Sequence, residues 1–227
     1  MKHVVVLTGA GMSAESGLKT FRDANGLWEG HDIMEVATAE GFSKNPELVL
    51  EFYNQRRKQL LQVNPNSAHH ALSALEKTHK VTIITQNVDD LHERAGSKNI
   101  LHLHGELLKV RSTVDDSNIY NWKHDLSLGD LCEKGSQLRP HIVWFGEPVP
   151  LISQAIEICK SADSLLIIGT SLQVYPAASL VQYVPPEKDI FYIDPKPIMA
   201  LNKHVTIISE KATTGVQKVI DELTKYN

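Results

Sequence analysis

Gly9-Ala10-Gly11-Met12-Ser13-Ala14 follows directly on an apolar, β-branched run at residues 3–7. A buried strand leading straight into G-x-G-x-x-A is the order in which a tight turn and a helix N-terminus can cradle a pyrophosphate. In that reading Gly9 permits the turn, Gly11 lets phosphate approach the backbone and Ala14 allows close packing. The same spacing also describes a tight turn with no ligand. Two later apolar runs end in related chemistry. Ile167-Ile168-Gly169-Thr170-Ser171 closes on hydroxyls that can donate to phosphate or ribose oxygens, and Ile190-Phe191-Tyr192-Ile193 closes on Asp194, whose carboxylate can accept from a ribose diol. A plain turn explains the first, and a turn aspartate before Pro195 explains the second equally well. The three endings together favour a cofactor crevice at the carboxyl ends of the strands.

Acid–base chemistry has its own candidates. Ile100-Leu101-His102-Leu103-His104 alternates, which puts both imidazoles on one face of a strand. An imidazole suits a general base near neutral pH, although a hydrogen-bonded structural histidine is the plainer reading of either residue. Gln86, Asn87 and Asp89 follow the apolar run at 81–85. They can grip a carboxamide and a ribose, or cap a helix beginning near Asp89 or Asp90. Val49, Tyr53, Arg56 and Leu60 are spaced to share one helical face, so Arg56 sits in an apolar stripe. It either snorkels past that stripe or pairs with an internal carboxylate. Arg57 and Lys58 turn to other faces and read as solvated charge.

These side chains need a frame. Apolar runs at 3–7, 81–85, 100–103, 164–168, 190–193 and 205–208 read as strands, several of them buried on both sides. Helical patterns fall between them at 46–62, 67–78, 151–161, 176–184 and 214–225. The alternation predicts an α/β fold with a doubly wound, Rossmann-like parallel sheet. Residues 29–65 and 106–139 break the rhythm and are read as two insertions forming a smaller helical or irregular module. The dinucleotide-binding domain is then 1–28, 66–105 and 140–227. The net charge of −4 over 227 residues leaves no basic footprint for nucleic acid or a membrane surface. With no membrane-spanning run and no leader pattern, a cytoplasmic monomer is expected, and its two cysteines are expected to be reduced thiols.

Six stretches taken together, in this order along the chain, resemble the sirtuin family of NAD-dependent protein lysine deacylases. They are Gly9-Ala10-Gly11-Met12-Ser13-Ala14-Glu15-Ser16-Gly17, Thr20-Phe21-Arg22-Asp23, Thr85-Gln86-Asn87-Val88-Asp89, Leu103-His104-Gly105, His141-Ile142-Val143-Trp144-Phe145-Gly146-Glu147 and Gly169-Thr170-Ser171. The resemblance implies that NAD is consumed as co-substrate and that acylated lysines of proteins are the substrates. In the family the acyl oxygen attacks C1' of the nicotinamide ribose and nicotinamide leaves. A histidine then deprotonates a ribose hydroxyl, which attacks the former acyl carbon, and the products are free lysine, nicotinamide and O-acyl-ADP-ribose.

By the same resemblance His104 is the catalytic base and Asp89 binds the nicotinamide amide, with Gln86 and Asn87 working near the ribose. Phe21 and Arg22 lie on the loop over the cofactor, and Trp28 anchors its end. Further cofactor contacts carry over to Gly9, Ala10, Gly11, Ala14, Glu15, Val88, Gly169, Thr170, Ser171, Asp194, Pro195, Lys196 and Ala212. The substrate peptide is expected between Val143, Phe145, Gly146 and Glu147 on one side and Leu172 and Val174 on the other. Tyr53 and Arg56 match the Tyr-x-x-Arg of the subgroup that prefers acidic acyl groups. Succinyl is thus expected first, malonyl or glutaryl as further options, and acetyl as tolerated.

Two departures stand out. Most sirtuins hold a structural zinc with two Cys pairs in the small module, whereas residues 106–139 contain just Cys132. No zinc is therefore expected, and Leu107, Val110, Ile119, Trp122, Leu126 and Leu131 are the expected packing core instead. Asp194 replaces the family's usual Asn and adds negative charge near a pyrophosphate, with Lys196 as its counterweight. Mono-ADP-ribosyl transfer and non-catalytic binding of NAD or acyl-lysine are the alternatives on the same fold. A dehydrogenase is disfavoured, because no acid-tipped second strand follows the glycine turn.

Overall fold

The computed structural model describes residues 1–19, 27–28, 30–198 and 204–225. Along the chain come β1 (His3–Thr8), α1 (Gly11–Ala14), β2 (Leu27–Trp28), β3 (His31–Asp32), α2 (Ile33–Val36), α3 (Ala39–Lys44) and α4 (Pro46–Gln62). They are followed by α5 (Ser67–Leu75), β4 (Lys80–Thr85), α6 (Leu91–Arg94), β5 (Ile100–His102), β6 (Gly105–Ser112), β7 (Ile119–Asn121) and β8 (Leu138–Ile142). The last part holds α7 (Ile152–Lys160), β9 (Ser164–Ile168), a 3-10 helix (Ala177–Tyr183), β10 (Asp189–Ile193), β11 (Val205–Ile208) and α8 (Ala212–Thr224). Among the described residues no helix is long and apolar enough to cross a membrane.

Six parallel strands form one sheet in the order β11-β10-β9-β1-β4-β5. Renumbered within that sheet, the order is 3-2-1-4-5-6, with the reversal falling between β1 and β9. Every residue of β1 and of β9 is buried, as the unbroken apolar runs require of strands covered on both sides. Alternate side chains then serve opposite faces. Val4, Val6, Ile83, Leu166 and Ile168 pack on α5 and α8, while Val5, Leu7, Ile84, Leu165 and Ile167 pack on α7 and the 3-10 helix.

Helix α4 begins where its sequence says it should. The Asn45 side chain accepts from Leu48 N, and Pro46 occupies the first turn, where a missing N–H costs nothing. Tyr53 and Arg56 are buried on it, and so is Arg57, at 1% exposure, against the expectation of solvated charge. The reason is that α4 is covered on a second side. Arg57 Nε donates to Leu107 O at 3.2 Å and Nη1 to Asn54 Oδ1 at 2.8 Å, and burial pulls the guanidinium down to about 10. Lys58 is exposed as expected, paired with Asp125 at 2.8 Å.

The second insertion is strand where an irregular segment was expected. β6 pairs antiparallel with both β7 and β8, and a register shift between Gly105 and Val110 interrupts the two-residue alternation by which a strand is recognised. Its core is Val110, Leu126 and Leu138 with Leu50 and Cys132, while Leu107 packs with α4 and Trp122 covers one edge. Ile119 and Leu131, expected inside, are 43% and 54% exposed, because the short β7 and the turn before β8 lie on the outer edge. Asn54 ties this sheet to α4. Its Nδ2 donates to Leu126 O at 3.0 Å and its Oδ1 accepts from Leu126 N at 2.8 Å, so one amide satisfies both backbone groups of Leu126.

Candidate active site

The carboxyl ends of β1, β4, β9 and β10 meet at the reversal of strand order, where open α/β sheets leave a crevice for ligands. The glycine turns close on each other there. Gly9 N donates to Ile168 O at 3.0 Å and Gly11 N to Gly169 O at 2.8 Å. A Cβ on Gly9 would stand 2.7 Å from Thr170 Cβ, and one on Gly11 would stand 2.6 Å from Gly169 Cα. A backbone crossing within the protein is therefore by itself enough to require glycine at position 11. Ala14 does not make the close packing: it is exposed, and Met12 is the residue buried beneath the turn. Glu15, expected at the cofactor, reaches the start of α8, where Oε2 accepts from Thr213 N at 3.2 Å and from its hydroxyl at 2.7 Å.

After β4 the polar residues are bound into one network. Gln86 Nε2 donates to Thr170 Oγ1 at 3.1 Å, bridging the ends of β4 and β9. Asn87 Nδ2 donates to Gly9 O at 3.1 Å and to Ser13 Oγ at 3.2 Å, and Ser13 in turn donates to Asp89 Oδ2 at 2.9 Å. Burial pushes the Asp89 carboxyl up, while the bonds from Ser13 and from Leu91 N resist it. That last bond, at 3.2 Å to Oδ1, makes Asp89 the side chain that binds the start of α6. Asp90 makes no capping bond and instead pairs with Arg94 at 3.6 Å. Ser13 was not singled out by the sequence. Its signal is a small hydroxyl on the first turn after the glycines.

His104 stands beside this network. Its Nδ1 lies 3.0 Å from Gln86 O, and a carbonyl only accepts, so Nδ1 carries the proton and Nε2 is the bare, basic nitrogen. Among the described residues nothing in the protein binds Nε2. Burial lowers the His104 pKa against the opposing Gln86 bond. His102 has the structural role, between Asn87 O at 3.3 Å and Glu93 Oε1 at 2.6 Å.

Val143 N donates to His104 O at 2.9 Å, and Phe145 N to Ala37 O at 2.9 Å, so the 141–147 segment is stitched between base and small module. Phe145, Gly146 and Val174 are exposed, Val143 and Leu172 half-buried, and Leu172 has a left-handed backbone (φ 54°). Glu147, expected at the substrate, is engaged internally: Arg139 meets it at 2.6 and 3.1 Å, Arg111 at 3.4 Å and Trp144 N at 2.8 Å. On the other side of the crevice Thr170 is buried and Ser171 half-buried. Asp194 is buried and Oδ1 accepts from Lys196 N at 2.8 Å, while Pro195 and Lys196 are exposed and Ala212 is the buried first residue of α8. Phe21 and Arg22 lie outside the described residues. Trp28 is described only as a backbone position of β2, paired with His31.

A 3-2-1-4-5-6 sheet with glycine turns, amides and hydroxyls at its reversal point, and the His104 imidazole beside them on the Gln86 carbonyl, defines a dinucleotide-binding protein of the Rossmann class. The sequence pattern of the Sir2 family matches residues 9–176, and the chain belongs to that family, the sirtuins. It is 62% identical over 224 residues to an NAD-dependent protein deacylase of Helicobacter pylori, covering 98% of both chains. It is also similar to a Sir2 homologue solved as an NAD complex, with a TM-score of 0.88 and 39% identity over 99% of this chain and 90% of that one. A Sir2 protein bound to acetylated peptide superposes with a TM-score of 0.81 at 29% identity, over 96% and 92% of the two chains.

Proposed function

We propose that this protein is an NAD-dependent protein lysine deacylase that removes acidic acyl groups, succinyl foremost and malonyl or glutaryl next, and acetyl more slowly. NAD fits the residues present: the crevice lies at the strand reversal, Gln86, Asn87, Ser13 and Asp89 offer oriented amide, hydroxyl and carboxylate groups beside it, and among the described residues the His104 Nε2 has no partner. When bound, NAD supplies an electrophilic ribose carbon and a leaving nicotinamide. Every other task falls to the chain. His104 takes a proton at Nε2 while its Nδ1–H keeps donating to Gln86 O, which fixes both tautomer and ring direction. The edges of the 141–147 and 172–174 segments hold an extended peptide by backbone bonds, so the sequence around the target lysine matters little.

The observation that carries the acyl preference is the pair Tyr53 and Arg56, one turn apart on α4 and 1% and 8% exposed. A buried guanidinium binds a carboxylate far better than it binds a methyl group. The test is nicotinamide release and peptide mass with matched acetyl-lysine and succinyl-lysine peptides. Wild type should favour succinyl, Arg56→Met should shift the ratio toward acetyl, and His104→Ala should stop both. Labelling of acceptor proteins by ADP-ribose without loss of acyl groups would move the transferase alternative to the front.

A further inference from the structure

The Tyr53 hydroxyl is already half used. Trp144 Nε1 lies 2.9 Å from Tyr53 Oη, and both side chains are buried. An indole N–H can only donate, so the phenol oxygen is the acceptor, and one direction at that oxygen is taken. Its own O–H must turn away from the indole, and among the described residues no acceptor receives it. A buried donor left unmade costs about 1–3 kcal/mol, a cost a bound acceptor removes.

We infer that Trp144 is a positioning residue for acyl selectivity: by donating to Tyr53 Oη it commits the phenol to act as a donor toward the acyl carboxylate that Arg56 faces. This rests on the proposed preference for acidic acyl groups. Had Trp144 been an acceptor, Tyr53 would have given its proton to the protein and offered the substrate an oxygen, which repels a carboxylate.

The indole is held in place from three sides. The Arg139 guanidinium stacks 3.4 Å from its ring centroid, and a cation on the ring face makes the indole N–H a stronger donor. Glu147 fixes Arg139 with two bonds and accepts from the Trp144 backbone N–H, so one carboxylate locks both partners. Phe42 closes the remaining side, with ring centroids 5.2 Å apart. This gives the half-buried Glu147 a purpose within the protein.

The experiment compares desuccinylation and deacetylation by wild type, Trp144→Phe, Tyr53→Phe and the double variant. Trp144→Phe keeps an aromatic ring and loses the donor. Succinyl kcat/KM should fall about tenfold relative to acetyl, mainly through KM, and Tyr53→Phe should add little to it in the double variant. A succinyl preference that survives Trp144→Phe, or two losses that multiply, overturns the inference and leaves the proposed function standing. Equal turnover of both peptides by wild type overturns both. Should Trp144→Phe fail to fold, the indole N–H resonance of Trp144 in wild type decides. It should move on binding succinyl-lysine peptide, stay still with acetyl-lysine peptide, and lose that response in Tyr53→Phe. An indole signal that responds equally to both peptides overturns the inference.

Discussion

His102 and His104, two residues apart at the end of the edge strand β5, each give an Nδ1 proton to the loop after β4, yet they are driven toward opposite protonation states. His102 holds Asn87 O and His104 holds the adjacent Gln86 O. Burial opposes charge on both. On His102 the hydrogen bond and charge of Glu93 outweigh it and raise the pKa above the ordinary 6.5, whereas on His104 nothing comparable exists and the pKa falls below 6.5.

Deacylation should therefore keep its base through neutral pH and lose it only in acid. The rate should fall as pH drops through the His104 pKa, with the acid limb of kcat/KM lying below 6.5. His104→Ala should reduce turnover about 10²- to 10⁴-fold and flatten that limb. A limb that persists unchanged in His104→Ala would assign it to another group.

Glu93→Gln should destabilise the protein in a bounded pH window. Glu93 has a lowered pKa in the folded state, so its contribution is present above the ordinary 4.5 and fades as pH falls through the folded value. His102 has a raised one, so its contribution is complete below 6.5 and fades as pH rises through the folded value. The difference in melting temperature between wild type and variant should peak between those limits and narrow on either side. It should be small, because the Glu93 side chain is 40% exposed and water screens the pair.

Asn54→Leu should cost far more than its size suggests. The substitution leaves both backbone groups of Leu126 and one N–H of buried Arg57 without their partner. The expected loss is about 3 kcal/mol, or on the order of 10 °C in melting temperature by calorimetry. Lys58→Ala, four residues along the same helix, removes only an exposed ion pair and should change stability by less than about 1 kcal/mol.

A chelator should leave both melting temperature and turnover unchanged. In the small module Cys132 Sγ lies 3.0 Å from Ser136 Oγ and 3.5 Å from Ser112 Oγ, the two serines bond each other at 2.8 Å, and no cluster of metal-ligating side chains is found among the described residues. The hydrogen bond between Cys132 and Ser112, followed by that between Cys132 and Ser136, lowers the thiol to about 7. Cys132→Ser keeps this geometry and should be nearly neutral by thermal unfolding. A melting point that drops on chelation would show that the module takes a metal after all.

What was legible in the sequence follows from where period and burial agree. All six strands of the parallel sheet stand where apolar runs stand, most plainly β1 and β9, which are covered on both faces and so have no other choice of residues. α4 was legible to its ends through Pro46 and its four-three spacing. β6 was not, because its bulge breaks the alternation. Arg57 was misread because a helical wheel shows one apolar stripe and cannot show that a second sheet will cover the next face. At the site, the alternation of His102 and His104 was visible, but which carbonyl and which carboxylate each would meet depends on residues 9 to 18 positions away in the chain. Trp144 carried no signal of its own, because its partner Tyr53 is 91 residues distant.

The crossing of Gly11 over Gly169 also constrains how this protein can change. Each glycine excludes a Cβ on the other's behalf, since a Cβ on either would stand 2.6 Å from the other's Cα. Relief at one position therefore does nothing for the other, and no sequence with a single larger residue lies between this pair and any replacement for it. The two turns, 158 positions apart, must be inherited, transplanted or redesigned together, so a graft that moves the first glycine motif alone brings across half a hinge pin and none of the joint.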